Sequence, residues 1–266
     1  MNVLADLIEL LLPERCAGCA QVPVLLCETC ARPLRAAARP AGTAPAGLPP
    51  PWTVASYEGP LRTVLAAYKE RGRTALAVPL GEALATAVRA ALTASGPGPP
   101  AADRAACGLS GERATGASAP RSREPCAPYG RGTGVRSRDP ASDPLVVWVP
   151  SARRAVRRRG HDALRGTAEA AVRRLRADGL PVTAVGALRQ RGRVADQAGL
   201  SASQRAANLS GAIEARAEVA GRQVVLVDDV VTTGASLAEA ARALRAAGAD
   251  VAGAATIAAT PRHRPW

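Results

Sequence analysis

Four cysteines stand close together as Cys16-x2-Cys19 and, after seven residues, Cys27-x2-Cys30. Two such pairs offer four thiolates to one tetrahedral ion, and in a chain read as cytosolic that spacing points to structural zinc rather than to disulfides. A closed four-sulfur shell leaves no position for a substrate. The ion's work is then to fold a segment whose apolar residues, Val22, Val24, Leu25 and Leu26, are too few to do so alone. A second cluster is VVLVDDVVTTGAS, residues 224–236: an apolar run, two acids, a turn of small and hydroxylated residues, then a helical pattern. Thr232, Thr233, Gly234, Ala235 and Ser236 let a phosphate approach the backbone at a helix N-terminus, where unpaired N–H groups and the helix dipole favour an anion. Asp228 and Asp229 would repel that phosphate, so they suit ribose hydroxyls or a Mg²⁺ that bridges to pyrophosphate. A third cluster is basic: Arg153, Arg154, Arg157, Arg158 and Arg159 lie within seven positions. Guanidinium forks fit polyphosphate, a nucleic-acid backbone being the alternative.

The surrounding elements read as those that must hold such sites. LVVWVP (145–150), VTAVGAL (182–188), VVLVDD (224–229) and VAGAATIAA (251–259) are strand-like, and the stretches 161–179 and 236–248 have helical spacing closed by Gly179 and Gly248. Strands alternating with helices mean α/β architecture with a parallel sheet flanked by helices. In such a sheet ligands sit beyond the carboxyl ends of the strands, which is where Asp228, Asp229 and the small-residue turn fall. Upstream, WTVASYEG is a short strand followed by helices over 60–71 and 74–92. Residues 93–144 are dominated by Gly, Pro, Ser and Ala, with Leu109 and Val135 the only branched aliphatics. They are expected to form a disordered insertion. Residues 1–34 form an amphipathic helix (3–12) plus the cysteine segment, 35–51 a linker, 52–92 a hood-like helical segment, and 145–266 the main domain.

The chain has 266 residues, 47% hydrophobic, with 35 Lys+Arg against 22 Asp+Glu, a formal charge of +13. A sizeable core can be buried, and collagen, coiled-coil and mucin-like classes are excluded. Aromatics are 2% with no Phe, which argues against a platform for stacking single-stranded bases. Lys69 is the chain's one lysine, so the positive charge is carried by Arg. The run 3–12 is too short to span a bilayer and lacks the flanks of a signal peptide, and the expected compartment is cytoplasmic. Cys107, Cys126, His161 and His263 have no ligand spacing around them.

The 224–236 motif resembles that of the type I phosphoribosyltransferases. The resemblance implies that Asp228 and Asp229 hold the ribose hydroxyls of phosphoribosyl pyrophosphate (PRPP) with Mg²⁺, and that Thr232 to Ser236 hold its 5-phosphate. It also implies that the arginines of 153–159 lie in a loop that faces pyrophosphate. VPSARRAVRRRGHD (149–162), DQAGLSASQRAANLSGAI (196–213), KERGR (69–73) and the paired CxxC motifs are together similar to the ComF family, phosphoribosyltransferase-fold proteins with an N-terminal zinc finger. That family is associated with competence and DNA uptake. The resemblance makes RQRGR (189–193), with the residues C-terminal to it, a mobile loop over the site. One departure is clear: the family's Arg-Gly-Phe-Asn-Gln is here Arg159-Gly160-His161-Asp162-Ala163. The implied activity is phosphoribosyl transfer, with no residue assignable as general base and no acceptor legible. The alternative is a non-catalytic factor that binds single-stranded DNA or a DNA-uptake helicase.

Overall fold

The computed structural model describes residues 15–42, 44, 46–96, 143–191 and 211–261. The expected helix at 3–12, most of the 93–144 insertion, residues 192–210 of the expected mobile-loop region, Cys107, Cys126 and His263 lie outside the described residues. In chain order the elements are α1 (Glu28–Ala31), β1 (Arg39–Pro40), β2 (Trp52–Ser56), α2 (Gly59–Glu70), α3 (Ala77–Ser95), β3 (Leu145–Trp148), α4 (Arg153–Arg159), α5 (Ala163–Ala177), β4 (Thr183–Val185), β5 (Leu188–Gln190), β6 (Ile213–Ala215), β7 (Gln223–Val231), α6 (Ala235–Ala246) and β8 (Asp250–Ala259).

One sheet runs β1-β2-β8-β7-β3-β4, and all of its pairings are parallel except that of β1 with β2. The central strands β7 and β8 are mainly Val, Leu, Ile and Ala because both of their faces are covered. One face, through Val225, Val227 and Ile257, packs on Leu61 and Val64 of α2, Leu84 and Val88 of α3, and Ala171 and Leu175 of α5. The other, through Val224, Leu226 and Ala254, packs on Leu237, Ala241 and Leu244 of α6. The α/β architecture with a mostly parallel sheet between helices is therefore as the alternating pattern predicts. Helix α3, with the 3-10 turn before it, is long and apolar enough to cross a bilayer, but half of it is buried inside the fold.

Four expectations change. Residues 52–92, read as a segment of their own, supply β2 to the sheet beside β8 and lay α2 and α3 on its face. The linker 35–51 contributes the edge strand β1 and buries Ala41 and Leu48. The strand at 182–188 splits: β4 stays in the main sheet, Gly186 lies against the Trp148 ring, and β5 leaves to pair with β6 in a separate ribbon. A side chain at Gly186 would press on that ring, its Cβ 3.0 Å from Cζ2. The basic loop is in fact the helix α4, because Ala155, Val156 and the arginines are compatible with helix and Gly160, at φ +74°, closes it by donating to the Val156 carbonyl.

Helices α3 and α5 cross at Gly81, where a Cβ would sit 2.5 Å from Ala170 Cβ and 3.0 Å from the Ala171 nitrogen. Gly81→Ala gains up to about 1 kcal/mol of helix propensity. It also forces two close-packed helices apart at an overpacking cost of about 1–3 kcal/mol. The contact is expected to win, and thermal melting should show a Tm lowered by several degrees. An unchanged or raised Tm would mean that the helices part freely.

Candidate functional site

Strand β7 carries Asp228 and Asp229 to its carboxyl end, both part-buried, and the Asp229 N–H donates to Asp228 Oδ1 at 2.9 Å. The chain then turns through Thr232–Gly234 into α6. Gly234 has φ +77°, a conformation that side chains other than glycine's adopt at a cost. The Ala235 N–H donates to Thr233 Oγ1 at 3.4 Å within the turn that leads into the helix. Asp228 and residues 230–237 enclose a cavity of about 70 Å³.

A second cleft, of about 230 Å³, adjoins it and shares Asp228 and Ser236. Its other charged walls are Asp229, Lys69 from α2 and Arg159 from α4, and its floor is Val149–Ala152 beyond β3. Arg159, 14% exposed, is the member of the basic run that lines the same cleft as the acids. Arg158 turns to Glu70 at 2.8 Å. Arg153, Arg154 and Arg157 are exposed on α4 and line neither cavity. The structure thus brings together both acids, the 232–236 turn and one arginine of five. The ribbon β5–β6, from which residues 192–210 emerge, stands beside this cleft: Gln190 Nε2 donates to the Pro150 carbonyl at 3.4 Å, and Arg189 and Arg191 both pair with Glu214 at 2.8 Å.

Burial, and then the Asp229 carboxylate, push the Asp228 carboxyl up to about 7. The Lys69 ammonium is held above its usual range: burial works against it, but Asp229 and then Asp228 outweigh that cost. The stability consequence has a definite sign. With a folded pKa above the unfolded one, Asp228 leaves the folded state holding more protons between about pH 4 and pH 7, so stability falls as pH rises through that window. Asp228→Asn keeps the neutral form at every pH. It is expected to match the parent near pH 4 and to exceed it by at least about 1 kcal/mol above pH 7, one pKa unit being worth about 1.4 kcal/mol. Urea unfolding at pH 4.5 and 8 measures this, and equal differences at the two pH values would contradict it.

Tyr68, 2% exposed, donates its hydroxyl to the Ala163 carbonyl at 2.7 Å, which fixes the end of α2 against the start of α5. The His161 ring lies 6.0 Å from the Tyr68 ring, with Nδ1 3.2 Å from the Arg159 carbonyl oxygen, and so sits behind the arginine that lines the cleft. Asp162 caps α5, accepting from the Arg165 N–H at 3.4 Å and from the Ser151 hydroxyl at 2.9 Å.

Sequence reasoning missed Lys69 and Glu70 as site residues. Lys69 pairs with Asp229, and Glu70 faces Arg158 and Arg159. Both lie in the quoted KERGR stretch, and the signal that could have found them is that a chain otherwise using Arg for every basic position keeps Lys here.

The four cysteines form a separate centre. Their sulfurs lie within 4.8 Å of one another, and Cys19 and Cys27 Sγ are 3.7 Å apart. A tetrahedron with bonds of about 2.3 Å to sulfur has edges of about 3.8 Å, so the donor set fits a four-coordinate metal. Cys16 Sγ accepts from the Cys27 N–H at 3.3 Å. Although burial opposes it, backbone N–H groups of Cys19, Cys27 and Gly18 bring the Cys16 thiol down to about 6, while burial pushes Cys30 up. The cluster packs on α2: a Cβ at Gly18 would meet Cys30 Sγ at 2.6 Å and Pro60 Cβ at 3.3 Å.

Residues 166–265 match the family model described as phosphoribosyl transferase domain. An orotate phosphoribosyltransferase of Nocardioides sp. is 62% identical over 34 residues, 13% of this chain and 19% of that protein. One of Pyrobaculum islandicum is 60% identical over 38 residues, 14% and 20% respectively. The chain therefore spans about a fifth of the length of the curated relatives it matches. These matches, together with the sheet order and the site at the end of β7, support a type I phosphoribosyltransferase fold.

Proposed function

We propose that this chain is a ComF-like cytoplasmic protein that binds PRPP with Mg²⁺ and transfers its phosphoribosyl group. The observation that carries this reading is the pair of adjoining cavities at the end of β7, which share Asp228 and Ser236, one lined by 232–236 and the other bounded by Asp228, Asp229 and Arg159. In it the 5-phosphate takes the N–H groups and hydroxyls at the start of α6, and Asp228 and Asp229 accept hydrogen bonds from the ribose hydroxyls and would hold Mg²⁺. Arg159, which lines the cleft, would neutralise the pyrophosphate as it leaves and the acceptor attacks the anomeric carbon, with Arg158, Arg157, Arg154 and Arg153 further out along α4. Bound Mg²⁺ supplies charge neutralisation for the leaving pyrophosphate. Cys16, Cys19, Cys27 and Cys30 hold structural zinc, a fit supported by their sulfur spacing.

Titration of Mg²⁺-PRPP into the full chain is expected to show one saturable site, with ribose 5-phosphate weaker because it lacks the pyrophosphate. A folded, zinc-loaded protein that binds neither would overturn the reading.

The exposure of Arg153, Arg154 and Arg157 outside both cavities favours a second reading, in which α4 contacts single-stranded DNA, alone or with a DNA-uptake helicase, in natural transformation. Reversing the charge at Arg153, Arg154 and Arg157 should then lower DNA affinity and flatten its dependence on salt. Unchanged affinity would remove direct DNA contact by α4.

A further inference from the structure

The last turn of α2 presents two adjacent side chains of opposite charge, Lys69 on the wall of the cleft and Glu70 outside it against the arginines of α4. Lys69 pairs with Asp229 at the end of β7. Glu70 accepts from Arg158 at 2.8 Å and lies 3.9 Å from Arg159 Nε. The helix that carries them is anchored by buried Leu61, Val64 and Leu65 and by the Tyr68 hydrogen bond to Ala163. The pairs therefore follow from the placement of α2 against β7 and α4.

These are the contacts a magnesium pyrophosphate group would make with the same protein groups: positive charge toward the acids, negative charge toward the arginines. We propose that Lys69 and Glu70 form a built-in counter-ligand that neutralises the acids and arginines of the site and is displaced when magnesium and pyrophosphate bind. The inference rests on the phosphoribosyl reading of the site. Two adjacent carboxylates in a part-buried cleft repel one another, as do three consecutive arginines, and the Lys69–Glu70 dipeptide relieves both at once. Lys69 makes a point-charge contact, more readily exchanged than the bidentate fork an arginine would offer.

A counter-ligand competes, so removing either half should strengthen binding, whereas damage to the fold would weaken it. Inorganic pyrophosphate with Mg²⁺ is titrated into the parent, Glu70→Gln, Lys69→Met and Asp250→Asn, the last making the same charge change as Glu70→Gln at the far end of β8. Glu70→Gln is expected to bind pyrophosphate about threefold to fivefold more tightly, the scale of one partly exposed ion pair. Lys69→Met should reach half-saturation at about threefold lower Mg²⁺, and Asp250→Asn should match the parent.

Parent binding with no gain in Glu70→Gln, or an equal gain in Asp250→Asn, overturns the counter-ligand and leaves the phosphoribosyl reading intact. Weaker binding by Lys69→Met makes that lysine a ligand contact and likewise overturns the proposal. If no variant binds pyrophosphate and none binds Mg²⁺-PRPP, both readings fall together.

Discussion

The double variant Asp228→Asn, Asp229→Asn is expected to lose affinity for Mg²⁺-PRPP by at least about a hundredfold while remaining folded. Each carboxylate would accept charge-assisted hydrogen bonds worth about 1.5–3 kcal/mol, so losing two costs about 3–6 kcal/mol. At about 1.4 kcal/mol per decade that is roughly two to four decades in Kd. The fold should survive because the substitution removes the burial cost of the Asp228 carboxylate and its repulsion by Asp229, and replaces each acid with a side chain of nearly the same shape. The one native contact sacrificed is the Lys69–Asp229 ion pair. Isothermal titration beside a thermal melt separates the two quantities. Retained affinity would assign the cleft a ligand that does not use the acids. Lost affinity with a melt equal to or above the parent's would place the acid pair in binding rather than in scaffold.

Metal analysis of the purified full chain is expected to find about one zinc per molecule, and Cys30→Ser is expected to cost at least about 3 kcal/mol of stability. Structural zinc contributes about 10–16 kcal/mol to the folding of small zinc-finger peptides, so an incomplete sulfur shell removes the main force that folds residues 16–30. Val22 and Val24 are 39% and 44% exposed and add little, while Leu25 and Leu26 reach the core only if the knuckles hold them there. The loss should also spread. Gly18 of the first knuckle sits against both Cys30 and Pro60, and Pro60 stands in the first turn of the helix whose last turn carries Lys69 and Glu70. Chelation should therefore lower the Tm and loosen the α2 contacts to β7 and α4, which hydrogen exchange at Tyr68–Glu70 would report. A metal-free chain with an unchanged melt would exclude the four-sulfur centre.

The site illustrates how unevenly function is written along a chain. The acid pair, the small-residue turn and the cysteine pairs are local patterns whose spacing carries their chemistry: a strand end followed by a helix start places residues 228–236 without reference to the rest of the molecule, and the structure sets them there. Likewise, Val, Leu and Ala runs alternating with helical spacing are sufficient for a parallel sheet between helices. Charge density alone misleads over 153–159, because like charges suggest an open loop, yet arginine is a good helix former and Gly160 ends the helix cleanly.

What the local pattern could not supply is everything set by long-range juxtaposition. Arg159 alone of its run lines the cleft because of how α4 is oriented on β3, and the exposed side of that helix is indistinguishable from it in composition. Ser56 and Trp52 belong to the same sheet as Asp228 only because β2 pairs with β8, across some two hundred residues of chain. Lys69 and Glu70 are a site pair only once α2 is laid against β7 and α4. Residue type and near spacing determined which chemistry the chain can perform. Packing of distant segments, driven by burial of apolar faces that carry no chemical signature of their own, decided which charges meet.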